Sequence, residues 1–394
     1  MELSKMEVRE PCIYRVPSQI RNVKPEAYKP RMVVIGPLHR YQKSTAKDGS
    51  ETSSNPWHLG KEYLQMEVTK NTYLKSFTQI VGEDTIEEMR KIIQAEEKNI
   101  RDSYDEPAEW IPSEYYVDLI LLDSVFIMEF ALRAMRYCEY SDDKIVDQPL
   151  YASVVIHDLM LLENQLPYFI LHSLFRSSMM ELYIREAFDQ LIDGMFGRIR
   201  GDETNYKHFT DILRCLYENS LYYSSNYEIR RGFLNITELR NADKLSQAGV
   251  DFKRLGNFSL DVWFDKGSLW MPEFHANEEY DMYLRNVIAF EQCHVAVTPF
   301  TRVVTSTMGR PSFVVDMVNK LQVGVKVGNS SQYHLEAMKL KAHYKSRRKM
   351  CWATLRKVYF SDLWTGTATL AAVLLLLLTL VGTAASVIQA YKSF

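Results

Sequence analysis

Five carboxylates set among apolar residues carry the most chemical potential in this 394-residue sequence: Asp118, Asp123, Glu129, Asp158 and Glu163. A carboxylate withdrawn from water without a partner costs several kcal/mol, so each needs a counter-ion, a shifted pKa or a wet face. Inward carboxylates in a helical bundle can hold metals or act as acid and base. Di-metal sites of that kind use a Glu-x-x-His on each of two helices. The sequence offers one, Glu291 to His294, and no second. A structural role fits better. Asn164 and Gln165, between Glu163 and Pro167, can satisfy backbone groups that the proline leaves unpaired. Asp123 and Asp158 can pair with Arg15, Arg21 or Arg133 and lock the N-terminal segment to the helices, a contact that fixes geometry more than it adds stability. The expectation is a structural set with no metal and no cofactor. The competing reading is an enzyme acting on a small molecule or lipid through Asp123, Asp158 and Glu163.

Other chemistries are poorly supported. Cys293 and His294 are adjacent, and adjacent residues on a helix do not face each other, so Cys293 reads as a small core residue. The five cysteines are scattered without a C-x-x-C, which suits a reducing compartment. No phosphate-binding glycine loop, no G-x-S-x-G and no H-E-x-x-H occurs. A net charge of −3 argues against a nucleic-acid partner.

The elements that must position these groups are mostly helices. Residues 11–40 contain Pro11, Pro17, Pro25, Pro30 and Pro37 and read as extended, with one apolar stretch at Met32–Ile35. A surface loop is expected over 41–60. Lys61–Ile80 places Leu64, Tyr73, Leu74, Phe77 and Ile80 on a helical stripe. Thr85 and Glu88 form a capping box for a helix that buries Ile86, Met89, Ile92, Ile93, Ile100 and Tyr104. A helix from Ser113 to Tyr137 is apolar nearly all round and belongs at the centre of a bundle. Ser153 can cap another, Val154–Leu166, which Pro167 stops or kinks. Periodic stretches follow at 181–195 and 209–222. In 250–272 the period becomes two: Leu260, Val262 and Phe264 alternate, Asp265-Lys266-Gly267 turns, and Leu269–Met271 returns as a hairpin packed on the helical body. Helix resumes at Glu278–Cys293, and 298–329 has no clear pattern.

Leu363–Tyr391 has no charged residue and supplies the ~20 apolar residues that a bilayer core of about 30 Å requires. Lysines and arginines crowd its N-terminal side, from Lys339 to Lys357, with no acid between Glu336 and Asp362. The positive-inside rule then places the body in the cytoplasm. The same flank should attract anionic lipid. A charged N-terminus without an apolar stretch suggests no signal peptide, hence a tail-anchored arrangement. Sequons at Asn235, Asn257 and Asn329 would matter only on the opposite, extracellular side. Gly382, Ala384, Ala385 and Ser386 form a small-residue patch that could support a homo-oligomer.

Several blocks resemble one plant family. Cys12-Ile13-Tyr14-Arg15-Val16-Pro17, Tyr28-Lys29-Pro30 and Ile35-Gly36-Pro37-Leu38-His39 resemble the opening of the "domain of unknown function two-four-seven" family. Asp158 to Pro167 resembles its most distinctive string, and Asn286–His294 and Trp352–Arg356 match two later blocks. Members usually carry a longer stretch than Ser330–Tyr344 before the basic run. The resemblance implies a plant protein, mainly helical, with a C-terminal membrane span and no established enzymatic activity. Some members are associated with self-incompatibility loci in grasses, which implies recognition.

The expected architecture is mainly α with a minor β-hairpin. A helical family domain spans 11–335, a basic juxtamembrane segment 336–362 and a transmembrane helix 363–391. The expected partners are membrane lipid, through that helix and its basic flank, and an unidentified protein. A recognition role between cells would instead put the body outside the plasma membrane.

Overall fold

The structure, a computed structural model, describes residues 10–42, 57–134, 143–177, 206–224, 242–255, 262–272, 277–294, 323, 334–345 and 363–392. In chain order the elements are α1 (Ser18–Arg21), β1 (Tyr41–Gln42), β2 (Trp57–His58), α2 (Leu64–Val81), α3 (Glu83–Asp102), α4 (Ser113–Ala134), α5 (Pro149–Leu159), α6 (Tyr168–Ser177), α7 (Phe209–Ser224), α8 (Ala242–Gln247), β3 (Asp251–Leu255), β4 (Trp263–Asp265), β5 (Ser268–Pro272), α9 (Glu278–Cys293), α10 (His334–Lys345) and α11 (Leu363–Lys392). The protein is mainly helical with a minor β element, as its periodicity predicts. Two compact units divide the chain. One contains α1 to α7, β1, β2 and α9, and the other contains α8, β3 to β5, α10 and α11.

In the first unit α4 is the axis, its residues from Val125 to Leu132 all buried. Helices α2 and α3 pack against it. The buried stripe of α2 is Met66, Lys70, Tyr73, Phe77 and Val81, whereas Leu64 and Ile80, expected inside, are exposed. Tyr73 and Phe77 are buried as expected, and the stripe runs from them through Met66 and Val81 and carries a lysine. Gly82, at φ +89°, separates α2 from α3. Because α3 already begins at Glu83, Thr85 caps nothing, and its hydroxyl donates back to the Val81 carbonyl at 2.8 Å. Met89, Ile93 and Ile100 face inward, while Ile86 and Ile92 are only half-buried.

Pro149, at the first position of α5, sets that helix's start, so Ser153 lies inside it and not at its cap. The helix ends at Leu159, seven residues before the expected stop at Leu166. A non-helical connection from Met160 to Pro167 then leads into α6.

In the second unit, β4 and β5 form the anticipated antiparallel hairpin, with Trp263 opposite Trp270. Lys266 and Gly267 both take positive φ, 48° and 90°, the requirement of a tight two-residue turn whose twist matches the strands. A third strand, β3, joins β5 in parallel and was not foreseen. Leu245, Ala248, Val250, Phe264 and Leu269 pack with Leu340 and Tyr344 of α10. Helix α11 contains Gly366–Gln389, with a mean hydropathy of 2.5 and none of it buried, long and apolar enough to cross a membrane.

The expected helix at 181–195, Leu260, the part of the surface loop from 43 to 56 and nearly all of 298–329 lie outside the described residues. So does the predicted end of α4, residues 135–137.

Candidate functional site

The stretch Arg31–Gly36 was expected to be extended, and strands normally satisfy such a backbone with a neighbouring strand. Here side chains do it. Asp158, at the end of α5, accepts the N–H of Arg31 at 2.8 Å on one oxygen, and those of Met32 and Val33 at 2.7 and 2.8 Å on the other. The Asn164 side chain accepts from Ile35 N–H at 2.7 Å and donates to the Val33 and Asp158 carbonyls, both at 2.9 Å. Asp123 of α4 accepts from Gly36 N–H at 2.8 Å. A backbone that would otherwise be buried without partners is thereby satisfied.

The charges are balanced locally. Lys70 Nζ lies 2.6 Å from Asp123, and the Arg40 guanidinium 3.8 Å away bridges toward Glu67. Burial lifts the Asp123 carboxyl above its ordinary range, and Lys70 and Arg40 pull it back. For Asp158, burial raises the pKa to about 6 against the pull of the three N–H donors. Glu163 accepts Val16 N–H at 2.6 Å and pairs with Arg21, while Arg15 and His39 each stand 3.9 Å from its other oxygen. Burial among Arg15, Arg21, Lys29 and Arg40 holds His39 near 3, so it stays neutral.

The expected pairing of Asp123 and Asp158 with Arg15, Arg21 or Arg133 does not occur. Arg133 instead bridges Glu129 and Asp143, and Arg21 serves Glu163. Asp118 sits at the surface beside Arg90.

Gln165 works inward as well as outward. Its amide nitrogen donates to the Leu159 and Leu161 carbonyls, at 2.6 and 2.7 Å, covering acceptors freed where α5 stops ahead of Pro167. Its side-chain oxygen accepts from Phe209 N–H at 3.0 Å. Gly36, at φ +69°, lies against it: a Cβ there would stand 2.6 Å from the Gln165 carbonyl oxygen. The Pro17 carbonyl receives the N–H groups of Ile20 and Arg21, both at 2.9 Å, starting α1.

On α9, Glu291 is buried and Cys293 half-buried, with the thiol pushed up to about 11 by burial and the charges of Asp105 and Glu163. That thiol is a poor nucleophile at neutral pH. His294 meets Lys207 and stacks edge-on with Phe290 at 5.4 Å. Among the described residues no three His, Cys, Asp or Glu side chains gather as a metal site.

Three contributors were missed from sequence: Lys70, Arg40 and Asn286. Asn286 accepts Leu162 N–H and donates to the Ala27 carbonyl, both at 2.9 Å, fastening α9 to both chain segments. Lys70 could have been found by its place on the stripe Met66–Lys70–Tyr73–Phe77.

Beside this frame lies a surface cleft of about 370 Å³ lined by Arg15, Pro37, Leu38, Arg40 and the loop Glu106–Trp110. The loop is held from behind by Arg101, which donates to the Ala108 and Ile111 carbonyls at 2.8 Å each and lies 3.7 Å over the Tyr116 ring. Ala108 takes φ +52°, a left-handed conformation that a non-glycine residue adopts only when its surroundings impose it. Across the mouth, Arg15 Nε pairs with Glu106 at 2.7 Å. None of Asp123, Asp158 and Glu163 lines this cleft.

A helical body whose N-terminal strap is fastened by side chains shares one chain with a span-length apolar helix. Residues 13–306 and 295–378 match DUF247, described as plant protein of unknown function, and the chain belongs to that family. A UPF0481 protein of Arabidopsis thaliana is 25% identical over 313 residues, covering 71% of this chain and 61% of that relative. The chain thus matches about 61% of the length of the curated relative. No solved structure matches it.

Proposed function

We propose that the protein is a non-enzymatic recognition module, tethered to a membrane by α11, whose helical body docks a protein partner. The observation that supports this reading is the engagement of Asp123, Asp158 and Glu163 by the strap. They are held by backbone N–H groups, Lys70 and Arg21, away from the cleft. An enzyme built on these carboxylates would need them facing a cavity. The cleft's Arg and Trp belong to the residue types that dominate protein-interface energetics. The role in grass self-incompatibility implied by the family resemblance is one form such recognition can take. The basic flank of α11 supports a cytoplasmic body.

Proximity labelling from the full chain in plant cells tests the reading. Reproducible protein neighbours that disappear with Trp110→Ala are expected. A neighbour set no different from that of a free label, across replicates, would defeat it.

A further inference from the structure

Within the second unit, α10 has two apolar faces. Ala337, Leu340 and Tyr344 are buried against the sheet. On the other side Leu335 and Met338 stand 39% and 50% exposed, with Ala342 exposed one turn further. A helix on a small sheet normally turns polar residues outward. Here the outward apolar pair is flanked by Lys339, Lys341 and Lys345. Glu336, the one acid on this helix, leans to the sheet, where it accepts Phe264 N–H at 2.7 Å and pairs with Lys339 at 2.6 Å. Exposed ion pairs of that kind contribute little and exchange readily. Large apolar side chains bordered by lysines are the pattern of a helix lying in the plane of a membrane surface.

We propose that the Leu335–Met338 face of α10 seats on an anionic bilayer, its lysines on lipid phosphates and its two apolar side chains at the acyl boundary. The inference rests on the reading of α11 as a membrane span. Residues 346–362, which join α10 to α11, can reach at most ~60 Å fully extended, so α10 lies within that distance of the bilayer that α11 enters. That tether carries Arg347, Arg348, Lys349, Arg356 and Lys357 and one acid, Asp362, so the charge complementarity runs unbroken from α10 to the span.

The outer sheet face is the rival surface and fits worse. Trp263 and Trp270 stack on each other at 5.8 Å and Lys253 covers Trp270, so both faces of the Trp270 ring are engaged. Asp251 and Asp265 are exposed on that sheet face and would repel anionic lipid.

The test uses the full chain in phosphatidylcholine nanodiscs with and without phosphatidylserine. A photoreactive benzophenone amino acid replaces Met338, and in a parallel sample Leu376 within α11. The expected result is lipid adducts from position 338 with phosphatidylserine present. They should fall about tenfold without it, and again with Lys339→Gln plus Lys345→Gln. Lipid adducts at 376 but none at 338, or adducts at 338 only to protein, would overturn the inference while leaving the span intact. Absence of lipid adducts at 376 would overturn the span reading and this inference with it.

Discussion

Asp123 and Asp158 hold neighbouring stretches of one strap by opposite electrostatics. Asp123 answers a single backbone N–H and is compensated by Lys70 and Arg40. Asp158 takes three backbone N–H groups in a row. The first arrangement trades one buried charge for another and fails badly if either is removed. The second uses fixed dipoles that need no counter-ion of their own, and each bond to the charged group is worth roughly 1.5–3 kcal/mol. A fold can therefore bury acids where the backbone opposite them has no other partner.

The contrast can be broken most forcefully at its cationic end. Lys70→Met is expected to destabilise the body by about 3–5 kcal/mol, because Asp123 keeps only Arg40, 3.8 Å away, as a counter-charge and the Val34 carbonyl loses its donor. Adding Asp123→Asn should recover roughly half of that loss. Urea unfolding of the detergent-solubilised chain measures both, and a single-variant cost below ~1 kcal/mol would end the distinction between the two acids.

A second test uses pH. His39 and His208 are held near 3 and 4 in the folded protein, chiefly by burial, whereas an unfolded imidazole titrates near 6.5. Below pH 6.5 the unfolded chain binds more protons at these two histidines, so their contribution to stability falls as pH drops from 6.5 toward 4, while Asp158, raised to about 6 in the fold, offsets part of that loss below pH 6. For His208 alone the loss by pH 4 is about 3 kcal/mol. Thermal unfolding across that range should show it, and His208→Gln should flatten the slope.

At the dipolar end the effect is smaller. Asp158→Asn keeps one acceptor oxygen and turns an NH₂ toward N–H donors, a cost of roughly 2–3 kcal/mol. The oxygen that Asn retains serves Met32 and Val33 together, so amide exchange should quicken at Arg31, while Gly36, held by Asp123, stays slow. Equal loss of protection at all four would show the strap to be one cooperative piece. The smallest effect belongs to Arg15→Ala, whose close partner Glu106 is exposed and whose distance to the buried Glu163, already paired with Arg21, is 3.9 Å: about 1 kcal/mol by denaturation, with the cleft mouth opened.

Local pattern revealed several whole elements, although Thr85 and Ser153, expected as caps, lie inside their helices. Glu278–Cys293 folds within its predicted limits, the turn Asp265-Lys266-Gly267 closes its hairpin, and Leu363–Tyr391 is helical almost to the residue. What stayed hidden depends on distant partners. Met32–Ile35 reads as an apolar stretch of an extended segment, and its hydrogen bonds come from side chains more than 120 positions away. Lys70 was overlooked because a lysine on an apolar stripe ordinarily points to water, and only the buried Asp123 gives it a reason to turn in. β3 escaped because Asp251–Leu255 is exposed over nearly its whole length and shows no alternation. Asp158 and Glu163 were legible as groups that needed partners; which partners they had was not.

The strap also sets a schedule. Its fasteners lie 87 to 147 residues downstream, so the N-terminal segment leaves the ribosome long before anything exists to receive it. At roughly 5–20 residues per second, Val16 waits about 7–30 s for Glu163 to be made. During that interval Val33, Val34 and Ile35, all buried in the finished fold, are exposed with unpaired amides. The nascent chain is then a natural client for chaperones. Slowing translation between α4 and α5 should lengthen that exposure and raise aggregation without altering a single contact of the native state.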